Sequence, residues 1–350
     1  MKIPHNWHLN PDGSYDVAGD VNLTEEYAHD GKLQIRFGRV TGNFCCYKLK
    51  LSTLEGCPAE VGGTFDCTQN KLTTLHGAPK AVGGDFHCTS NPLTSLNGAP
   101  KHVNGDFNCS FAKLTSLNGA PKTVGGFYCC DNNLTTLDGA PTAVGGDFEC
   151  WGAKLVSLRG APKLVGGTFD CASNRLETLT YAPKWVGGDF DCACNKLTTL
   201  KGCPEIVKGR VICNTNKLIT LEGAPKVING DFDCSHNRLK SLEGLPRVIH
   251  GEFKCEDNKL VVLNKVPRGV TEVNYCCNPL RTVSIEVLPF LSTSDRFSDL
   301  IRQIRYIDWA GVRGSIYPYE QWVPKSSRIA HINMTPQQAR ELKALRMSWV

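Results

Sequence analysis

Eighteen cysteines and nine histidines are the residues of this 350-residue chain with the most chemistry to offer. Eleven cysteines recur about every 21 residues, at Cys46, Cys67, Cys88, Cys109, Cys129, Cys150, Cys171, Cys192, Cys213, Cys234 and Cys255. Thiols at regular spacing suggest metal binding, disulfides or nucleophilic catalysis, and the pattern argues against each. Structural zinc takes C-x2-C pairs or accompanying histidines. Cys192 and Cys194, the pair near Cys213, have neither. Residues repeated in register on neighbouring strands ~4.8 Å apart present parallel Cβ vectors, a poor geometry for a disulfide. The histidines are scattered, and no phosphate-cradling G-x-x-x-x-G-K-[ST], H-E-x-x-H or G-x-S-x-G motif occurs. No enzyme activity, metal or cofactor is expected. The eleven cysteines read as small apolar residues in one inward register; Cys57 and Cys203, off that register, replace the alanine of a G-A-P segment and read as packed.

The elements that position these thiols follow from the stretch around them. Val82-Gly-Gly-Asp-Phe-His-Cys-Thr-Ser-Asn-Pro-Leu-Thr-Ser-Leu-Asn-Gly-Ala-Pro100 carries a frame, V-x-G-x-F-x-C-x-x-N-x-L-x-x-L-x-G-x-P, that returns through residues 41–283. Self-similarity at this period marks a solenoid. Asp85 to Thr89 alternate polar and apolar with period two, the pattern of a strand with one buried face. Phe86 and Cys88 point inward in this reading, and Leu93 and Leu96 complete the core beneath them. Strands so short bury their inner face only by stacking on neighbouring copies. The asparagine three residues after the cysteine, as at Asn70, Asn91 and Asn195, is suited to holding backbone groups where the chain leaves the strand.

The L/V-x-F-x-C-x-x-N-x-L-x-x-L frame resembles leucine-rich repeats, with cysteine or valine at the third apolar position. Its short period and the proline after the second leucine resemble the bacterial subclass seen in effector proteins. The copy Pro267-Arg-Gly-Val-Thr-Glu-Val-Asn-Tyr-Cys-Cys-Asn-Pro-Leu280 matches that subclass in spacing, and the wording G-D-F-x-C-x-x-N-x-L-T-S-L-x-G-A-P is similar to repeat proteins encoded by tailed bacteriophages. The resemblance covers about residues 40–283. It implies a right-handed β solenoid of about 12 coils of about 21 residues, with a parallel sheet on the concave face and an extended convex side. Such repeats are binding scaffolds.

The rest of the chain reads as caps. Residues 1–40 hold a degenerate repeat, with Val21 and Leu23 in the Phe and Cys places, a candidate strand at Leu33–Phe37, and Trp7 to cover the end. Residues 284–350 change character: Ser294 to Gly311 carries a helical stripe of Phe297, Leu300, Ile301, Ile304 and Ile307, and Thr335-Pro-Gln-Gln338 starts a second helix that runs to about Met347. The expectation is a small helical C-terminal cap, rich enough in Trp and Tyr to take a second, binding role. No apolar signal segment and no run of ~18 apolar residues occurs, so a cytoplasmic setting with reduced thiols is expected.

Charge is sorted by face. The outward strand positions flanking the phenylalanine form acidic columns, and the expected partner-binding residues on the concave face are Asp85, Asp106, Asp147, Asp189 and Asp231 in one column and Glu149, Asp170, Asp191 and Asp233 in the other. Arg210, Tyr128 and Trp151 interrupt them. Near the middle, Gly125-Gly-Phe-Tyr-Cys129 lacks one residue, Ala112 and Ala153 replace the asparagine, and Phe111, Tyr128, Cys130 and Trp151 cluster outward. This zone is either a contact patch or local repacking around a shortened loop. Lysine and arginine follow the asparagine position (Lys71, Lys113, Lys154) and the proline (Lys80, Lys163, Lys184), giving basic edges. An acidic ridge suits a basic protein surface, basic edges suit a polyanion, and opposing stripes also serve plain solubility. The expected function is a non-enzymatic scaffold that binds a host protein; a phage structural component or self-assembling scaffold is the alternative, and nucleic-acid binding along the basic edges a weaker one.

Overall fold

The computed structural model describes residues 4, 6–284, 287 and 306–308. Its spine is a parallel sheet of thirteen short strands running from Val21–Asn22 to Val273–Asn274. Each copy contributes two residues, such as Phe86–His87, and pairs in register with the copies on either side: Phe65↔Phe86↔Phe107. Every side chain therefore stands over its counterpart one coil away. The phenylalanines are fully buried. Their rings stack, 5.2 Å apart from Phe65 to Phe86 and again to Phe107, and stay within 25° of parallel as far as Phe190. Below them run the ladder cysteines, free thiols without exposed surface. Several donate weakly to the next coil, as Cys88 Sγ does to the Asn108 carbonyl at 3.3 Å. Leu93 and Leu96, with their equivalents in each coil, close the core.

The back of the coil, expected to be extended, forms a second sheet, parallel except at its N-terminal edge, where Trp7–Leu9 runs antiparallel to Ser14–Val17. Strands such as Ala81–Val82 and His102–Val103 pair coil to coil, with valine or isoleucine facing in. Glycine makes this possible: a Cβ on Gly83 would lie 2.1 Å from the Gly62 carbonyl oxygen, so the backbones touch where another residue would hold them apart. The second sheet is interrupted. Six strands end at His102–Val103 and seven begin at Thr123–Val124. The gap coincides with the coil that lacks a residue, while the first sheet passes through it unbroken, Phe107↔Phe127↔Phe148.

At the N-terminal end, Val21 pairs with Phe44, so the degenerate copy is the first rung. The candidate strand at Leu33–Phe37 is divided between Lys32–Leu33 and Arg36–Val40. Trp7 packs on Tyr15, Tyr27 and Phe37, and Phe37 on Phe44 at 5.0 Å, which carries the aromatic stack outward.

At the other end the expected helix over 294–311 is corrected where the chain is described. Tyr306–Asp308 is a strand, paired in parallel with Thr282–Ser284 through Val283↔Ile307. The exposed edge of the last rung offers backbone groups that a short β-prone segment satisfies better than a helix does. The remainder of that helix and the one expected over 335–347 lie outside the described residues. Among the described residues, no helix is long and apolar enough to cross a membrane.

Candidate functional site

Each coil must turn as it leaves the first sheet, and two residues make the turn. The residue before the asparagine position takes a positive φ; where it is not glycine this runs from +49° at Asp257 to +59° at Lys48, with Ser90, Phe111 and Asp131 between. The asparagine then locks it. Asn91 Nδ2 donates to the carbonyls of Cys67 and Cys88 at 3.0 and 3.1 Å, and its Oδ1 accepts the Leu72 N–H at 3.1 Å. The buried amide ties each coil to the one before it, as the sequence requires. Leu49, Ala112 and Ala153 leave three coils without this tie.

The acidic columns belong to the same scaffold. In the column before the phenylalanine, one oxygen of each aspartate accepts the next coil's N–H: Asp85 from Asp106 at 2.8 Å, Asp106 from Gly126 at 2.6 Å, Asp147 from Thr168 at 2.7 Å, Asp189 from Arg210 at 2.7 Å and Asp231 from Glu252 at 2.9 Å. In the column after it, Asp170 accepts from Ala172 N–H at 2.8 Å, Asp191 from Ala193 at 2.8 Å and Asp233 from Ser235 at 3.0 Å. These carboxylates are half-buried acceptors as well as surface charge. Asp→Asn keeps the acceptor; Asp→Lys removes it.

Little on this face neutralises the charge. Arg210 Nε and Nη2 both reach Asp189 Oδ2, at 2.9 and 2.8 Å. Among the described residues, Asp106, Asp131, Asp147, Glu149, Asp170 and Asp191 have no cation within 4.0 Å. Sheet register puts Glu149, Asp170 and Asp191 on consecutive rungs. Burial, then the neighbouring charges of Asp191 and Glu149, push the Asp170 carboxyl up to about 6, against the pull of the Ala172 N–H. Asp191 is raised for the same reasons, with Asp233 and Asp189 as its neighbours.

The aromatic zone sits on the interrupted coil. Phe111 is 50% exposed. Trp151, two coils on, meets it edge to face at 5.9 Å and 72°. Trp151 Nε1 donates to Glu149 Oε2 at 3.3 Å, and Cys130, buried in the intervening coil, has its Sγ 3.9 Å from the same oxygen. Tyr128 hydroxyl donates to Asp106 Oδ2 at 3.4 Å. Burial and the charges of Asp106, Asp147 and Glu149 push that phenol up to about 12. All twelve expected site residues thus share the outer face of the first sheet; Tyr128, Glu149 and Trp151 gather in one patch, while Arg210, Asp231 and Asp233 stand several coils away.

Among the described residues, no group of three or more His, Cys, Asp or Glu side chains is placed to hold a metal ion. Cys192 is buried and Cys194, at the positive-φ place of the turn, is exposed.

A second surface emerges only with the second sheet. Leu164, Ile206 and Val227 are 58%, 49% and 46% exposed. With Trp185 they line up rung by rung, Leu164↔Trp185↔Ile206. The corresponding positions nearer the N-terminus carry Glu60, Ala81, His102, Thr123 and Ala143, so the apolar stripe is confined to the later coils. The switch is visible in the sequence one residue before the buried valine, once that valine is known to be a strand residue.

No protein-family model and no curated protein matches the chain. Among solved structures it is similar to YopM from Yersinia enterocolitica, at 20% identity and a TM-score of 0.56 over 72% of this chain and 60% of that one. It thus spans about 60% of the length of that protein. The likeness shows the fold, a parallel-sheet solenoid of leucine-rich-repeat type. The leucine-rich effector YopM from Yersinia pestis aligns at 18% identity and a TM-score of 0.46 over 75% of this chain and 79% of that one. A leucine-rich repeat protein from Bacteroides eggerthii aligns at 12% and 0.41 over 78% and 60%.

Proposed function

We propose that the chain is a non-enzymatic protein-binding scaffold whose first-sheet face grips a basic surface of another protein. The observation that carries this reading is the stack of half-buried carboxylates, Asp147, Glu149, Asp170 and Asp191, with no cation in contact among the described residues and an aromatic patch at one end. Like charges on adjacent rungs repel, and a cationic partner removes that penalty. The phage-like wording of the repeat supports a viral gene acting in a bacterial cytoplasm, where the partner is a host protein that binding inhibits or redirects, for example a defence factor.

The test is affinity capture from a bacterial host with wild type beside a variant carrying Asp147→Asn, Asp170→Asn, Asp191→Asn and Trp151→Ala. The amides keep the backbone hydrogen bonds, so the fold is retained. A host protein held by wild type, lost by the variant, and rebound with purified components supports the reading. Equal retention by both proteins removes the first-sheet face from it.

The apolar stripe on the second sheet favours a second reading, a self-assembling or virion component. Contiguous exposed apolar surface on a sheet marks an interaction site. Sedimentation of the purified chain, and of phage particles if it is virion-borne, decides this. Binding to nucleic acid that fades with salt and ignores sequence would instead assign function to the basic edges.

A further inference from the structure

We infer that the Phe111–Trp151 pair, with the carboxylates of Asp131 and Glu149, forms a receptor for an arginine side chain presented by the partner protein. This deepens the scaffold reading and rests on it.

The position of Phe111 is the first observation. Other coils fill the positive-φ place with Gln69, Ser90, Ser173, Thr215 or His236, small or polar residues. Bulky side chains are disfavoured in this conformation. Phe111 adopts it with φ +57° and half its surface in solvent. Its coil has also given up the locking asparagine for Ala112. The ring adds nothing to the core.

What the ring does touch is Trp151. That side chain spans the Cys130 coil to meet Phe111, and its indole N–H is held by Glu149. Asp131 occupies the turn of the spanned coil, exposed, with its N–H on the Trp151 carbonyl at 3.0 Å. Two aromatic rings inclined at 72°, bordered by two carboxylates that have no cation in contact among the described residues, match one chemistry well. A guanidinium lies flat on an indole or phenyl face and directs its N–H fork at a carboxylate. Lys113 and Lys154, both exposed, stand just beyond the patch. They weaken simple attraction of positive charge, so ring stacking sets the preference for arginine over lysine.

The probes are a hexa-arginine and a hexa-lysine peptide, titrated against the full chain by calorimetry at low salt and at about 0.3 M salt, where screening shortens to roughly 5–6 Å. Hexa-arginine is expected to bind more tightly than hexa-lysine, and to keep that advantage in salt. Trp151→Ala and Phe111→Ser each weaken it by about tenfold. Glu252→Gln with Asp257→Asn, on the same side of the fold but several coils away, changes it less than twofold. Phe111→Ser installs a residue type that other coils use at this place, so loss of binding there cannot be loss of fold, and its melting temperature checks this. If the distant pair weakens binding as much as Trp151→Ala does, or the arginine preference disappears in salt, the receptor is overturned while the basic-partner reading stands. If neither peptide binds wild type, both are overturned.

Discussion

The smallest unit that decides stability is one buried amide. Asn195 Nδ2 donates to the carbonyls of Cys171 and Cys192, and its Oδ1 accepts the Leu176 N–H at 2.9 Å. Asn195→Ala strands these groups, and denaturant unfolding is expected to show a loss of about 2–4 kcal/mol. Ala112→Asn is the reverse experiment: it offers an acceptor to Leu93 N–H and is expected to raise stability by about 1 kcal/mol. Asp170 supplies a pH test. Its carboxyl titrates at about 6 in the folded chain against an ordinary value of 3.8. Between those values the folded chain holds more protons than the unfolded one, so the contribution of Asp170 to stability falls as pH rises through the window. Asp170→Asn is expected to raise the melting temperature at about pH 7.5 and to leave it nearly unchanged at about pH 3, below the window. An equal shift at both would rule this out. These roles were partly legible: the recurrence of Asn at one place signalled a backbone lock. The use of aspartate as a coil-to-coil acceptor was not, because the same residues in the same places read equally well as a solvent-facing charge column.

At the scale of the coil, the sequence announces the first strand and hides the second. Phe-x-Cys alternates and is flanked by turns, whereas Lys-Ala-Val-Gly-Gly looks like a loop, since two glycines argue against a strand when each copy is read alone. Only stacking shows that those glycines let backbones meet. The same coil position tests this twice. A Cβ on Gly83 would lie 2.1 Å from Gly62 O, while one on Gly145, next to the shortened coil, finds its nearest neighbour at 3.8 Å. Gly83→Ala is expected to cost about 1–3 kcal/mol and Gly145→Ala less than about 0.5 kcal/mol, measured side by side in urea. The C-terminal strand Tyr306–Asp308 was misread as helix for a related reason: its apolar spacing fits a helix, and the open rung that receives it is a tertiary feature.

At the scale of the whole molecule, stability is a sum over neighbouring coils, so opening is graded along the axis. The buried thiols report it. Burial pushes the ladder cysteines well above the ordinary thiol range, and they are inert while covered. With a thiol reagent and mass spectrometry, Cys194 is expected to label at once, being exposed. Cys109 and Cys129, beside the break in the second sheet, are expected to label faster than Cys192 and Cys213, where both sheets are continuous. Uniform rates along the ladder would mean that the break has no energetic weight. The period, the core and the solenoid class were readable from the sequence at this scale; the break was readable only as a missing residue, without its effect on pairing.

That missing residue has a consequence at the level of the gene. Coils that meet their neighbours through identical bonds are interchangeable, so slippage during replication or unequal crossing-over inserts or drops a whole coil and still yields a chain that closes. The coil between Val103 and Thr123 is different, because its rungs match on one sheet and not on the other. Repeats gained or lost elsewhere leave it intact and carry the aromatic patch with it, so it works as a landmark by which relatives of unequal length can be aligned.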